Sequence, residues 1–428
     1  MKTYIKNGRV INPATSQDDI YDVVIDGDRV LQVAKDVEPE AGAEVIDASG
    51  KFVMPGFIDL HVHFRDPGLT YKEDIETGAK AAARGGVTTV CAMPNTKPVV
   101  DSVETLSYIQ KKAEEVAPIH VEQLSAITIG QNGTELVDMK AMVEQGAIAF
   151  SEDGKSVMDV TLYAEAMKRA AELDAVVMAH CEDKALVRGG VLNEGVASKK
   201  FGVPGITNSV EDIIAARDIF LANDYGTKLH LCHCSTEGSV ELVRMAKKLG
   251  ISVTAEVCPH HFTLTDADID SVDANYKMNP PLRTEKDVQA LIRGLQDGTM
   301  EVISTDHAPH SAEEKSGDFE HAPFGIVGLE TSASLTYTAL VATGILTPMQ
   351  MAEKMSYNPA KVIGIDQERG SIEAGKLADI VIFDPNAEYV VDVNEFASKG
   401  KNTPYNGKLL KGKVMQTICR GRVVYTAG

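Results

Sequence analysis

Short apolar runs alternate with amphipathic stretches through the middle of the chain. The runs are rich in Val, Ile and Ala and have the length of buried strands, and stretches with helical spacing, such as 160–173 and 210–223, separate most of them. The predicted strands cover residues 57–64, 87–93, 120–126, 147–151, 175–180, 228–233, 252–257 and 301–305. Strand–helix units in series predict a (β/α)8 barrel of the TIM type, because neighbouring parallel strands need a crossover helix.

Both ends of the chain have a different pattern, in which short Val- and Ile-rich segments are separated by turn residues. These segments cover residues 3–11, 22–25, 29–33, 44–46, 378–383, 389–393 and 415–425. We therefore expect an α/β protein of two parts. Residues 54–365 would form the barrel, and residues 1–53 together with 366–428 would form a small β-sandwich domain built from both termini.

Composition narrows the class of protein. The 428 residues are 44% hydrophobic and 24% charged, as in globular proteins, and the formal net charge is −20. This acidic excess argues against a nucleic-acid partner, because polyanion binding needs clustered positive charge. No apolar run has the roughly 18 residues of a membrane span, and the 6 cysteines are too few for a disulfide framework. We expect a cytoplasmic protein with no membrane partner and a small-molecule ligand.

The most specific chemical signal is the pair His61 and His63 near the end of the first predicted barrel strand. Residues two apart on a strand share a face, so both imidazoles would point into the barrel. Imidazole is a common ligand of Zn²⁺. Two hydrogen-bonded core histidines are the alternative interpretation of this pair taken alone.

Four further polar residues end or directly follow other predicted strands: Asp153, His180, His233 and Asp306. The carboxyl ends of the strands form the catalytic face of barrel enzymes. Four histidines and two carboxylates at one rim predict a site for two divalent ions, with a carboxylate between them.

The run His-Val-His-Phe-Arg-Asp-Pro-Gly at 61–68, Met-Pro-Asn-Thr at 93–96 and Asp-His-Ala-Pro-His at 306–310 resemble the bacterial, zinc-dependent dihydroorotases of the amidohydrolase superfamily. The resemblance covers nearly the whole chain. It implies a hydrolase of cyclic amides, which reversibly cyclises N-carbamoyl-L-aspartate to (S)-dihydroorotate plus water in de novo pyrimidine (UMP) biosynthesis.

The resemblance also implies metal ligands and a catalytic residue. The first Zn²⁺ would be held by His61, His63 and Asp306, and the second by His180 and His233. Many cyclic amidases bridge two metals with a carboxylated lysine, whereas this chain has Asp153, so one or two ions are implied, with two expected. Asp306 would also carry the proton during catalysis.

Substrate contacts are implied in the same way. His63 and Arg65 would lie beside the substrate, with Arg65 holding its carboxylate through a bidentate grip. The other implied contacts are Asn95, Asn279, His310 and the backbone of Phe324 and Gly325. A surface ion pair is the alternative role for Arg65, and a turn before proline is the alternative for Asn279.

Two other functions remain open from the sequence. One is another cyclic amidase, such as an allantoinase or a hydantoinase. The other is a non-catalytic, dihydroorotase-like scaffold for aspartate transcarbamoylase. We expect a homodimer, leave association with aspartate transcarbamoylase open, and predict a mobile lid at 311–323 because that segment is polar and has little to bury.

Overall fold

The structure, a computed structural model, describes residues 2–428. Parallel strands form the barrel, and each predicted barrel strand is confirmed. They span Phe57–Val62, Val87–Ala92, His120–Gln123 continued by Ser125–Ala126, Phe150–Ser151, Val176–Ala179, Lys228–Leu231, Val253–Val257 and Val302–Ile303.

The eighth strand closes the barrel against the first. The main-chain N–H of His63 donates to the carbonyl oxygen of His307 at 2.9 Å, and Val62 pairs in parallel with His307. Lower in the barrel, the Leu60 N–H donates to Ser304 Oγ at 3.2 Å. Closure brings the carboxyl ends of all the strands to one rim.

Helices surround the barrel, and a polar side chain caps the N-terminus of many of them. Asp74 forms a capping box, and Asp159 accepts two main-chain N–H groups. The longer helices are Ile75–Arg84, Val103–Val116, Met139–Gln145, Val160–Glu172, Ser209–Tyr225, Glu237–Lys248 and Glu285–Asp297. Shorter ones are Lys184–Val187, Val196–Phe201, Pro259–Thr263, Ala312–Lys315, Ser332–Thr336, Pro348–Ala352 and Asn358–Val362, and π-helical turns at Tyr337–Val341 and Glu353–Tyr357 follow two of them.

Strands from both termini pair into one eight-stranded sheet, which confirms that the two ends form one β domain. These strands are Lys2–Asn12, Gln17–Asp26, Arg29–Ala34, Glu44–Asp47, Phe52–Pro55, Ile380–Val390, Leu409–Cys419 and Arg422–Thr426. The N-terminal strand Phe52–Pro55 pairs antiparallel with the C-terminal strand Ile380–Val390, so neither end could form the sheet alone.

The alternation of side chains across the sheet joins it to the barrel. Phe52 and Met54 pack into the barrel's core, whereas Val53 between them packs into a separate core of the β domain. The Val30 N–H donates to the carbonyl oxygen of Lys376 at 2.9 Å, which links the outer strand back to the chain before Ile380. The sheet therefore folds around its own apolar core.

The sheet strand Phe52–Pro55 ends just before the first barrel strand, and the last helix on the barrel ends at Val362. We accordingly propose domain boundaries near residues 53/54 and 365/366. None of the helices formed by residues 2–428 has the length and apolar content needed to cross a membrane.

Candidate active site

One cavity of about 210 Å³ lies at the carboxyl end of the barrel. All the site residues predicted from the sequence line it except His61, which lies buried beneath it. Its walls are His63, Arg65, Asn95, Asp153, Gly154, His180, His233, Asn279, Asp306, Ala308, His310, Phe324 and Gly325. The structure thus brings the predicted residues together at one rim of the barrel.

The floor of the cavity is a cluster of imidazoles and carboxylates. His61 Nε2 lies 3.2 Å from Asp153 Oδ1 and 3.5 Å from Asp306 Oδ1. His63 Nε2 lies 3.1 Å from Asp306 Oδ1, and its Nδ1–H donates to Asn95 Oδ1 at 2.9 Å. Since the amide oxygen only accepts, His63 presents the lone pair of Nε2 to the carboxylates.

Asp153 also faces a second pair of histidines. His180 Nδ1 and His233 Nε2 lie 2.9 Å apart, and each is 3.7 Å from Asp153 Oδ1. The carboxylate therefore lies between the histidines of the first strand and those of the fifth and sixth strands, as a carboxylate bridging two cations would.

Several buried ligand-type atoms lack hydrogen-bond partners in the described chain, and His61 Nε2, Asp153 Oδ1 and His233 Nδ1 among them belong to this cluster. Buried polar atoms without partners are costly, so such a group indicates a missing ligand. Candidate ligand atoms of these three residues lie within 4.8 Å of one another, as do those of His61, His63 and Asp306. Imidazole nitrogen and carboxylate oxygen are zinc donors, so the residues fit a divalent metal.

The electrostatics favour a cation at this place. Burial alone would raise the pKa of Asp306, but His61 and His233 lower that pKa to about 2. Burial would also raise the pKa of Asp153, but the neighbouring histidines hold that pKa well below its usual value. Both carboxylates are therefore ionised at neutral pH. Burial lowers the pKa of His63, which keeps its ring neutral and able to bind a metal.

The backbone is strained at three of the predicted site residues. Arg65, His233 and Asp306 have φ angles of 60°, 34° and 49°, in the left-handed region that side chains other than glycine rarely adopt. Such conformations persist only where surrounding contacts impose them, and they concentrate at functional sites. Each turns the chain at the point where a barrel strand has just ended.

Glu256 is a site residue that the sequence analysis missed. It is fully buried and accepts hydrogen bonds from His61 Nδ1 at 3.0 Å, His230 Nε2 at 3.2 Å and the main-chain N–H of His233 at 3.1 Å. Burial would raise the Glu256 pKa, but the histidines hold it well below its usual value. Its carboxylate fixes the His61 tautomer so that Nε2 faces the cavity. A glutamate inside an apolar strand was the available signal.

We expect Glu256→Gln to lower metal affinity about 10–100-fold, because the neutral amide no longer holds the His61 ring in one tautomer. The measurement is metal content after dialysis against graded chelator concentrations. Glu241→Gln is the control, since Glu241 is mostly exposed on a surface helix. Metal retention equal to that of the unsubstituted chain would show that Glu256 does not orient a ligand.

Glu182 is a second residue that the sequence analysis missed. His180 Nε2–H donates to Glu182 Oε2 at 2.8 Å, and Asn279 Nδ2 donates to the same oxygen at 3.2 Å. This leaves the lone pair of His180 Nδ1 for the cluster. It also connects a proposed metal ligand to a proposed substrate contact through one carboxylate.

Arg65 supplies a positive charge on the opposite side of the cavity. Its Nε donates to the carbonyl oxygen of Pro309 at 3.3 Å, and its Nη2 lies 3.5 Å from His310 Nε2. Among the residues that the structure describes, no carboxylate lies within 4 Å of this guanidinium. The structure therefore contradicts the alternative in which Arg65 forms a surface ion pair. Burial of the guanidinium lowers the Arg65 pKa.

His310 lies beside this guanidinium and is held in its neutral form. Its Nε2–H donates to the carbonyl oxygen of Phe324 at 2.9 Å, and its Nδ1 accepts from Lys72 Nζ at 3.3 Å. Burial, Arg65 and Lys72 together lower the His310 pKa to about 3. Lys72, which the sequence analysis did not single out, lies behind His310 and is paired with Glu314 at 2.9 Å.

The segment 311–323 is more firmly packed than its polar composition suggested. Phe319 is 2% exposed and lies with its ring centroid 5.3 Å from that of Phe201. Lys315 is also buried, and its Nζ donates to three carbonyl oxygens, including that of Gly325 at 3.0 Å. The expectation that this segment has little to bury was wrong. Its motion as a lid stays a prediction.

Comparison with known proteins identifies the family. Residues 50–239 match the family described as dihydro-orotase-like, and residues 342–425 match the amidohydrolase family. The chain is 50% identical to a dihydroorotase of Pelotomaculum thermopropionicum over 424 residues, covering 99% of this chain and 98% of that protein. It is 49% identical to a dihydroorotase of Clostridioides difficile, covering 99% of both.

Solved structures give the same architecture at lower identity. L-Hydantoinase (dihydropyrimidinase) from Arthrobacter aurescens superposes with a TM-score of 0.89 at 26% identity, covering 100% of this chain and 96% of that one. Dihydropyrimidinase from Brevibacillus agri gives 0.86 at 25% identity, with coverage of 100% and 95%. Sequence identity to the dihydroorotases is about twice the sequence identity to these solved structures, and it extends over the full length of the chain. The chain therefore belongs to the dihydroorotase family of the amidohydrolases.

Proposed function

We propose that the chain catalyses the reversible cyclisation of N-carbamoyl-L-aspartate to (S)-dihydroorotate plus water, in de novo pyrimidine biosynthesis. Dihydroorotate is a six-membered cyclic diamide with a carboxylate on the ring. The observation that carries the proposal is the Arg65 guanidinium, which has no anionic partner and lines the same cavity as the histidine–carboxylate cluster. Such a cavity matches a cyclic amide that bears one negative charge.

We propose two Zn²⁺ ions as the cofactor. The first would be held by His61, His63 and Asp306 and the second by His180 and His233, with Asp153 between them. Zinc supplies Lewis acidity, which polarises a carbonyl oxygen and makes water a stronger acid. The unpartnered Nε2 of His61 and Oδ1 of Asp153 support this assignment. Metal analysis of the purified protein tests both the identity and the number of the ions.

Asp306 is the proposed catalytic acid and base. It is ionised at neutral pH, since the neighbouring histidines lower its pKa to about 2, and it lies on the wall of the cavity. In hydrolysis it would take the proton of the attacking water and pass it to the departing ring nitrogen. In cyclisation it would remove the proton from the carbamoyl nitrogen as that nitrogen bonds to the carboxyl carbon, and would return the proton to the departing oxygen, which leaves as water. Open-chain carbamoyl-aspartate carries one more negative charge than the ring, so acid favours closure.

Substrate orientation follows from the polarity of the cavity walls. Arg65, Asn95 and His310 would contact the carboxylate, and His63 lies between Asn95 and the cluster. At the other side, Asn279 and the backbone of Phe324 and Gly325 would contact the ring. A substrate held at both ends would have its reacting carbonyl near Asp306. This orientation lowers the entropic cost of reaching the transition state.

Two alternatives are less well supported. A hydantoinase or allantoinase would share the fold, but its substrate gives no reason for an unpaired Arg65 in the cavity, and this chain has Asp153 rather than a bridging lysine. A non-catalytic scaffold for aspartate transcarbamoylase does not explain why all four cluster histidines, His61, His63, His180 and His233, are present and converge on one carboxylate.

We expect the purified protein to hydrolyse dihydroorotate, followed by ultraviolet absorbance, with kcat/KM roughly 30-fold or more above that for dihydrouracil. Dihydrouracil is the same ring without the carboxylate, so the comparison isolates the charge that Arg65 is proposed to hold. Equal or faster turnover of dihydrouracil would favour the hydantoinase-type alternative. No turnover of either ring by metal-loaded protein would favour the scaffold.

Assembly and location are also proposals. All six cysteines are buried and unpaired, which supports a reducing compartment such as the cytoplasm. Ile213 and Phe220, one face of the helix Ser209–Tyr225 at a spacing of seven residues, are 50% and 55% exposed, which supports a homodimer. Light scattering tests the dimer, and the same measurement with added aspartate transcarbamoylase tests that association.

A further inference from the structure

A loop of the C-terminal part of the chain reaches the carboxyl end of the barrel. It lies between the 3₁₀ turn Val393–Glu395 and the strand Leu409–Cys419, and we call residues 398–403 the strap. Its polar residues Ser398, Asn402 and Thr403 are buried. Loops normally expose polar side chains to water, so a buried polar loop must find its partners within the protein.

Asn402 is 3% exposed, and its side-chain amide contacts only backbone. Oδ1 accepts the main-chain N–H of His310 at 3.0 Å. Nδ2 donates to the carbonyl oxygens of Ala308 at 3.0 Å and Gly325 at 3.1 Å. Both N–H groups and the carbonyl of the amide are therefore used, and the main-chain oxygen of Asn402 accepts from Val327 N–H at 3.0 Å.

These bonds join two loops that form one wall of the cavity. One loop follows the eighth strand and carries His310, and the other carries Phe324 and Gly325. The loops approach closely, because a Cβ added to Gly325 would lie 2.6 Å from the Ala308 carbonyl oxygen. The two loops also contact each other directly, because the Ala308 N–H donates to the carbonyl oxygen of Ile326 at 2.8 Å. Asn402 adds three hydrogen bonds from outside this pair of loops, although it does not itself line the cavity.

The strap has other anchors, so the effect of the Asn402 side chain can be separated from the folding of the strap. Ser398 Oγ donates to the buried Glu73, and Lys401 Nζ donates to the carbonyl oxygens of Phe396 and Ser398, each at 2.7 Å. Gly400 lies against Pro309, whose Cβ would be 2.6 Å from an added Cβ. Removing the Asn402 amide leaves these contacts intact.

We propose that Asn402 is a positioning residue, which sets the distance between the loops of His310 and Gly325 and so shapes the pocket for the ring carboxylate. The inference rests on the proposed function, because it concerns the same substrate. Asn402 would act only through His310, Ala308 and Gly325, without touching substrate. It would therefore influence substrate binding more than the proton transfer by Asp306.

We expect Asn402→Ala to raise the KM for dihydroorotate about tenfold, since the Ala308 carbonyl oxygen and the His310 N–H lose their partner and the Gly325 carbonyl oxygen keeps only Lys315. The Kd for orotate, a planar ring with the same carboxylate, should rise in parallel by calorimetry. The kcat should stay within about threefold, and metal content should not change. A general loss of structure would instead lower kcat and metal content together.

Asn402→Asp is the second variant, because it has the same shape and fills the same space if the alanine variant does not fold. It keeps the acceptor for His310 N–H but places a carboxylate oxygen against the carbonyls of Ala308 and Gly325, so the same rise in KM is expected. Asn406→Ala is the control. Asn406 is exposed in the same part of the chain and accepts only from Val393 N–H at 3.1 Å, so its KM should not change.

A KM and an orotate Kd within twofold of those of the unsubstituted chain, or a fall in kcat with KM unchanged, would overturn the inference. Failure of the unsubstituted, metal-loaded chain to hydrolyse dihydroorotate would overturn the proposed function instead. The two failures are therefore distinguishable in one set of assays.

Discussion

The Asp306→Asn variant is expected to lose about 10²–10⁴-fold in kcat, the usual contribution of general acid–base catalysis. The amide keeps the shape of the side chain and a neutral oxygen that can contact a metal, but it cannot accept a proton at neutral pH. The Asp306 carboxylate is ionised at neutral pH and can accept one on its oxygen. Initial rates of dihydroorotate hydrolysis, measured with metal content and KM on the same preparation, separate this loss from loss of metal or substrate.

Asp153→Asn is the matched control for Asp306→Asn, because it makes the same chemical change at the other carboxylate of the cluster. Asp153 lies between the two pairs of histidines and has no proposed proton role, so its loss should act through metal retention. Added zinc should restore part of the activity of Asp153→Asn and almost none of that of Asp306→Asn. Full recovery of Asp306→Asn in excess zinc would mean that Asp306 only holds metal, and the proposed mechanism would then lack its base.

The Arg65→Ala variant is expected to lose roughly 30-fold or more in kcat/KM for dihydroorotate, because truncating one partner of a buried charge pair costs about 2–5 kcal/mol. Metal content should not change, since Arg65 contacts Pro309 and His310 rather than a proposed ligand. The loss should be much smaller for dihydrouracil, which has no carboxylate. Arg65→Lys should fall between, because it keeps the charge but not the two-pronged geometry.

An unchanged kcat/KM for dihydroorotate in Arg65→Ala would remove Arg65 from the substrate site. Equal losses for both rings would indicate that Arg65 supports the loop of Pro309 rather than the carboxylate. Lys72→Ala is a useful companion, because its Nζ contacts His310 and Glu314 but does not line the cavity. We expect its effect on kcat/KM to be smaller than that of Arg65→Ala.

The sequence alone could predict residues whose role follows from the period of a strand. His61 and His63 share a face because side chains alternate along a strand, and His180, His233 and Asp306 lie where apolar runs end. In a closed parallel barrel every strand ends at the same rim, so the position along each strand is enough to bring distant residues together. His63, His180, His233 and Asp306 line one cavity, and His61 lies buried beneath it.

Glu256, Glu182 and Asn402 could not be found in that way. Glu256 shares a strand with no other site residue, and its importance comes from accepting hydrogen bonds of His61 and His230, which lie 195 and 26 residues away. Asn402 is 92 residues from His310. Local patterns describe which face a residue occupies and not which distant donor it meets.

The prediction that residues 311–323 have little to bury was wrong for a related reason. Its charged residues suggested a mobile loop, but Phe319 and Lys315 are buried against parts of the chain that become neighbours only on folding.

What the sequence by itself determined is the barrel, the terminal β domain and the set of metal-type side chains at one rim, because these follow from hydrophobic periodicity. Only the tertiary structure decided which carboxylates orient the histidines, that Arg65 has no anionic partner, and how Asn402 holds the pocket wall, because these depend on loop paths and on hydrogen bonds between residues far apart in the chain.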